Sequence, residues 1–202
     1  MYLDSLVWAI VGFISGSIPW AVWLPSFLAK VDVTRIGDQN PGSANAWKAA
    51  GWKLGILVFI LDLAKGAIPV FVAYFLFDVR EWGLTLVGMA PILGHAFSPF
   101  LGFKGGKALA TSGGIWAGVT LGPGLLVIFL SLGIGHILQR THAWTAIAAV
   151  VGVLLYLLIR PPEPWLFTLW AGNTALILYK HKDELRQRIE PREWILRMFR
   201  RA

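Results

Sequence analysis

Residues 5–29, 108–139 and 141–159 of this chain contain no Asp, Glu, Lys or Arg. A helix that crosses a bilayer needs roughly 20 apolar residues, and uncharged apolar runs of this length read as membrane spans. The middle run is long enough for two spans, and Gly122-Pro123-Gly124 supplies a break between them. Composition agrees: 56% of the chain is hydrophobic and 14% charged, against about 25% charged in a soluble domain. Seven apolar spans are expected, at residues 4–28, 54–76, 82–100, 106–121, 124–139, 143–159 and 164–180. The connections are short, and neither an internal repeat nor a low-complexity linker is visible. The expectation is therefore one all-α integral membrane domain over residues 1–202.

The net charge of +7 fits either a nucleic-acid binder or a membrane protein obeying the positive-inside rule. Position decides. All but three of the 18 Lys and Arg residues fall on one side of the expected spans. They occupy the loop after the first span (Lys30, Arg35, Lys48, Lys53), the loop after the third (Lys104, Lys107), the loop after the fifth (Arg140) and the C-terminal tail. Arg80 and Arg160 lie opposite, and Lys65 is inside a span. Short loops rich in Lys and Arg stay cytoplasmic, so the N-terminus is expected outside and the C-terminus in the cytoplasm. The basic residues form no single folded face, which argues against nucleic acid. The tail at 181–202 mixes charges with Leu185, Ile189, Trp194, Ile195, Leu196, Met198 and Phe199. It reads either as an amphipathic helix on anionic lipid or as a solvated tail helix. The absence of cysteine excludes disulfides and thiolate chemistry. Met1-Tyr2-Leu3-Asp4 lacks a basic n-region, so an uncleaved first helix is expected.

Five polar segments interrupt this apolar chain. In the first loop, Gly37-Asp38-Gln39-Asn40-Pro41-Gly42-Ser43-Ala44-Asn45-Ala46-Trp47-Lys48 combines turn-forming small residues with amides and a cation. Such a loop either binds an anion through backbone N–H groups or is an Asn-capped helix start. Gly102-Phe103-Lys104-Gly105-Gly106-Lys107 opens the fourth span. Helix N-terminal amides attract phosphate and lysines add point charges, although the spacing is not that of a Walker A loop. His95 stands just upstream, near the membrane boundary, where an ionisable group is either functional or simply packed. Asp62 and Lys65 are three residues apart on one helix face and read best as a structural pair. Tyr179-Lys180-His181-Lys182 ends the last span, where cations suit the helix dipole. The histidines are scattered, and no metal-ligand motif or cofactor signature is present.

Together these segments resemble the bacterial acyl-phosphate-dependent glycerol-3-phosphate acyltransferases, the PlsY family. The similarity runs through Gly16-Ser17-Ile18-Pro19, Val31-Asp32, the Asn40-to-Asn45 loop, Leu61-Asp62-Leu63-Ala64-Lys65-Gly66, Leu93-Gly94-His95, Phe103-Lys104-Gly105-Gly106-Lys107 with Ala110-Thr111, and Tyr179-Lys180-His181. The resemblance implies a seven-span fold in the bacterial inner membrane with its site facing the cytoplasm. It also implies acyl transfer from acyl phosphate to glycerol 3-phosphate, giving lysophosphatidic acid and phosphate, with no cofactor or metal. The family lacks the His-x-x-x-x-Asp motif of other glycerolipid acyltransferases, and here Phe100 stands five residues after His95.

On this footing Lys104 and His181 are the expected catalytic groups. Lys104, Gly105, Gly106 and Lys107 would hold one phosphate. Asn40, Gly42, Asn45 and Lys48 would serve the second phosphate or the loop itself. His95, Asp62 and Lys65 would support the site. The chain departs from the family pattern at Asp38, Gln39, Ser43, Ala44, Lys48, Ala143 and Glu184. Lys in place of Arg loses a bidentate phosphate contact, and Asp38 adds a negative charge. The departures leave open a paralogue with another acceptor. A small transporter or channel is the rival from another class, and it would favour inverted repeats that the sequence does not show.

Overall fold

A computed structural model describes residues 2–200. Its helices are α1 (Tyr2–Ser17), α2 (Trp20–Ala29), α3 (Ser43–Ala50), α4 (Trp52–Phe77), α5 (Glu81–Ala96), α6 (Leu109–Thr120), α7 (Pro123–Leu138), α8 (His142–Ile159), α9 (Pro164–Lys180) and α10 (Glu193–Arg200). Among the described residues, four stretches are long and apolar enough to cross a membrane: Tyr2–Ala29, Trp52–Phe77, Glu81–Leu101 and His142–Ile159. Pro123–Leu138 is a shorter apolar helix. Large apolar side chains such as Ile10, Ile14, Ile60, Leu130, Leu155 and Leu158 point outward, as a lipid-facing surface requires.

The expected span at 4–28 is two helices. Pro19 lacks the N–H that would continue α1, and α2 restarts at Trp20. The break frees carbonyls inside the protein, where water cannot serve them. Ser98 Oγ donates to Ser17 O at 2.6 Å, and Lys65 Nζ donates to Ile18 O at 2.9 Å. Lys65 also pairs with Asp62 at 2.8 Å, both side chains being 3% exposed. The two charges thus neutralise each other and repair the kink.

The expected span at 106–121 begins three residues late, at Leu109. At 1.5 Å per residue, α6 covers only about 18 Å, well short of a ~30 Å hydrocarbon core. Every residue from Thr111 to Gly118 is buried, so α6 is an interior helix. It packs on α4 and is joined to α9 by polar bonds. Trp116 Nε1 donates to Asn173 Oδ1 at 3.1 Å, and Asn173 Nδ2 donates to Ser112 Oγ at 2.8 Å. Around it α1 packs on α5, α7 on α8, and α9 against α5 and α8.

The tail is not one continuous helix. After a short 3₁₀ turn at Glu184–Arg186 it runs extended across the α7–α8 corner. Arg140 N donates to Glu190 O at 2.9 Å, and Arg192 N donates to Leu138 O at 3.0 Å. Trp144 Nε1 donates to Gln187 O at 3.0 Å, and α10 follows. The expectation of an amphipathic tail rests partly on the side chains of Leu196, Met198 and Phe199 and on residues 201–202, which lie outside the described residues.

Removing one partner of a buried pair leaves an uncompensated charge, at about 3–5 kcal/mol. Lys65→Met should therefore unfold in detergent with stability reduced by about that amount. The Lys65→Met/Asp62→Asn double variant should recover part of the loss, with the Ile18 carbonyl still orphaned. Thermal unfolding of the three proteins checks this.

Candidate active site

The first loop is folded around Asp38. Its Oδ1 accepts from Asn45 Nδ2 at 2.7 Å and from the Asn40 amide at 3.3 Å. Asn45 Nδ2 also donates to Asn40 O at 2.9 Å. Asn45 is buried and its amide is spent on the loop, so it shapes the site and does not reach out of it. Gly37 and Gln39 both take left-handed backbone, with φ of 59° and 61°.

The glycine-lysine loop is set by α5. The Gly105 amide donates to Ala96 O at 3.2 Å, and the Gly106 amide donates to His95 O at 3.1 Å. These bonds satisfy carbonyls at the C-terminal end of α5. They also correct the expectation that the two glycine amides cradle phosphate, because both N–H groups are already engaged. The need for glycine is steric: a Cβ on Gly105 would run into the His95 carbonyl, and one on Gly106 into the His95 ring. Lys180 Nζ closes the junction by donating to Ala96 O at 3.0 Å and Gly105 O at 2.8 Å. In the sequence Lys180 is a cation at a helix end, and its bridging of α9, α5 and the glycine loop has no local signature.

These elements enclose a cavity of about 470 Å³ between the first loop, the start of α6, the α7–α8 corner and the tail. Of the expected site residues it is lined by Asn40, Gly42, Asn45, Lys48, Asp62, His95, Lys107 and His181. Lys65 and Gly106 line a smaller adjoining hollow. Lys104 and Gly105 line neither, and Lys104 is exposed. The cavity also takes in Asp38, Arg140, Thr141, His142, Glu184, Gln187 and Glu190. Ala108, Leu109 and Ala110, the opening of α6, form part of its wall. The first amides of a helix have no intrahelical acceptor and carry the positive end of its dipole. The anion-attracting helix end therefore exists, three residues later in the chain than the sequence reading placed it.

Lys107 stands between two carboxylates. Its Nζ donates to Asp38 Oδ2 at 2.6 Å and to Glu184. Burial opposes ionisation of Asp38, but bonds from Lys107 and Asn45 outweigh it and hold the carboxyl at about 2. Burial likewise disfavours the Lys107 ammonium, and Asp38 and Glu184 overcome this and raise its pKa. The Asp38–Lys107 contact is thus ionic throughout the physiological range. His181 is buried, with Nδ1 at 2.9 Å from Ile177 O. A carbonyl only accepts, so Nδ1 carries the proton. Burial, opposed by that bond, lowers the His181 pKa. The ring is then neutral at pH 7, and Nε2 is a lone-pair acceptor.

Two substitutions test the loop geometry by thermal unfolding. Gly105→Ala should destabilise by roughly 1–3 kcal/mol, the cost range of overpacking. Gln39→Gly, at an exposed left-handed position, should stabilise by about 0.5–1 kcal/mol by relieving the Cβ penalty.

Residues 6–190 match the family described as glycerol-3-phosphate acyltransferase. The glycerol-3-phosphate acyltransferase 1 of Thermotoga maritima is 35% identical, over 88% of this chain and 94% of its own. That of Aquifex aeolicus is 33% identical, over 95% and 98%. The crystal structure of PlsY, an integral membrane glycerol 3-phosphate acyltransferase, in its glycerol 3-phosphate form superposes with a TM-score of 0.82. It is 33% identical, with 90% of each chain covered. Its lysophosphatidic acid form superposes with a TM-score of 0.80 at 32% identity. With both sequence and architecture matched over nearly the whole chain, this protein belongs to the glycerol-3-phosphate acyltransferase family.

Proposed function

We propose that this cavity transfers an acyl group from acyl phosphate to glycerol 3-phosphate, with Lys107 and the N-terminus of α6 receiving phosphoryl oxygens. Acylation of glycerol 3-phosphate for phospholipid synthesis is the activity of the family. The observation that carries the placement is that Lys107, Ala108 and Leu109 bring an ammonium group and a helix N-terminus to one wall of one cavity. Both are phosphate-attracting devices. An apolar hollow of about 110 Å³ between α4, α6 and α7 shares Ser43, Leu109 and Ala110 with the cavity wall. It suits the acyl chain, leaving the mixed anhydride at the polar boundary.

In the transfer, the glycerol hydroxyl oxygen bonds to the acyl carbon and the acyl–O–phosphate bond breaks. The hydroxyl proton passes to the departing phosphate. The protein then supplies position and charge stabilisation rather than a general base. His181 Nε2 is the lone-pair acceptor available to orient the attacking hydroxyl. Of the two lysines expected to hold one phosphate, Lys107 lines the cavity and Lys104 does not, so the phosphate-binding role rests on Lys107 and the catalytic role expected of Lys104 is not retained. Asn40, Gly42 and Lys48 complete the first-loop wall, Asn45 braces it, and His95, Asp62 and Lys65 fix the floor. The charge distribution favours seven crossings in the bacterial inner membrane, with the N-terminus outside and the cavity open to the cytoplasm. On that topology α7 and α9 cross as shorter helices, and the crossing at α6 includes the non-helical residues 102–108 before it.

Purified protein given acyl phosphate and labelled glycerol 3-phosphate should release lysophosphatidic acid. Formation of no such product, with acylation of a different acceptor, would overturn the reading. Lys107→Met should lower kcat/KM by about 100-fold, the scale of removing one charge-stabilising group. Lys104→Met should stay within about threefold, as surface charges act weakly.

A further inference from the structure

We propose that Glu184 is a built-in competitor for substrate phosphate at Lys107, and that it must leave Lys107 before a phosphoryl group can bind there. The inference rests on the phosphate role of Lys107 given above. Three cations line the cavity: Lys48, Lys107 and Arg140. Lys48 is exposed, and Arg140 is paired with Glu193 at 3.0 Å. Lys107 is the inward one, its side chain 16% exposed, and it already carries Asp38 at 2.6 Å and Glu184. One ammonium group has three protons to donate. A phosphate dianion arriving beside two carboxylates would place three anions on that one group, and juxtaposed like charges repel. One carboxylate has to give way.

The two are not equally free to do so. Asp38 is anchored: besides Lys107 it accepts from Asn45 and from the Asn40 amide, and moving it would unfold the first loop. Among the described residues, Lys107 is the hydrogen-bond donor to Glu184 Oε1, while Oε2 is buried without a hydrogen-bond partner. An unsatisfied buried oxygen is costly, so Glu184 is poorly held where it sits. It lies on the 3₁₀ turn Glu184–Arg186, followed by exposed residues 187–191. A rotation of that turn carries the carboxylate into water, where both oxygens are solvated. Glu184 then exchanges with phosphate on Lys107, and its departure is part of the binding free energy of the substrate.

The prediction is a KM effect. Glu184→Gln keeps the size and removes the charge, and Glu184→Ala removes the group. Both should lower the KM for a phosphate-bearing substrate by about threefold to tenfold while kcat stays within about twofold. Measuring KM separately for glycerol 3-phosphate and for acyl phosphate shows whose phosphate Lys107 receives. Inorganic phosphate, used as a probe in a thermal-shift titration of the full chain, should bind both variants more tightly by the same factor. A KM that is unchanged or raised for both substrates in both variants would overturn the proposal. Lys107→Met separates the two layers of the argument. If it leaves phosphate affinity intact, the site assignment itself fails; if it abolishes that affinity while the Glu184 variants match wild type, only the competitor role fails.

Discussion

A hydrocarbon environment offers no partner to a backbone group that leaves its helix, and this protein breaks its helices where its chemistry is. Its answer is to spend lysines and a serine on carbonyls. Lys65 serves the α1 break, Ser98 serves the same break from the end of α5, and Lys180 serves α5 and the glycine loop together. Each of these side chains comes from a different helix than the carbonyl it satisfies. The repairs therefore also fix how α1, α4, α5 and α9 meet. The floor of the cavity follows from that meeting, because His95 and Asp62 are held on the same helices.

The glycine-lysine loop shows how this constraint shapes the site. Because Gly105 and Gly106 bond to the end of α5, the chain cannot begin α6 until Leu109. The delay puts Lys107 on an extended stretch beside the first loop, within reach of Asp38. It also places the opening of α6, Ala108 to Ala110, on the cavity wall. Two glycines are required because His95 presses on both positions, so the small residues belong to packing, and the lysine after them is the one proposed to meet phosphate.

Sequence patterning revealed the apolar helices, the charged side of the bundle and the loops that gather at it, since burial in lipid writes itself into runs of uncharged residues. The Asp62–Lys65 pair was legible too, because three residues separate neighbours on a helix. Other features were not. The choice between Lys104 and Lys107 depends on the end of α5, which no local spacing reports. Glu184 was visible only as an unexpected acid in the tail, and its meeting with Lys107 spans 77 positions. The Ser112–Asn173–Trp116 network joins helices far apart in the chain, and no local spacing reports which partners the lone amide Asn173 meets.

For the proposed reaction, the short α6 would also reconcile two substrates that prefer different phases. A helix spanning the full hydrocarbon thickness would place its N-terminal amides in the headgroup layer, away from any apolar groove. Starting at Leu109, the helix opens where Ser43, Leu109 and Ala110 form a wall shared by the polar cavity and the apolar hollow. The acyl phosphate proposed as donor would have its phosphate on one side of that wall and its alkyl chain on the other, with the bond to be broken at the boundary. On the proposed reaction, the late start of α6 would thus bring a lipid-soluble donor and a water-soluble acceptor to one point.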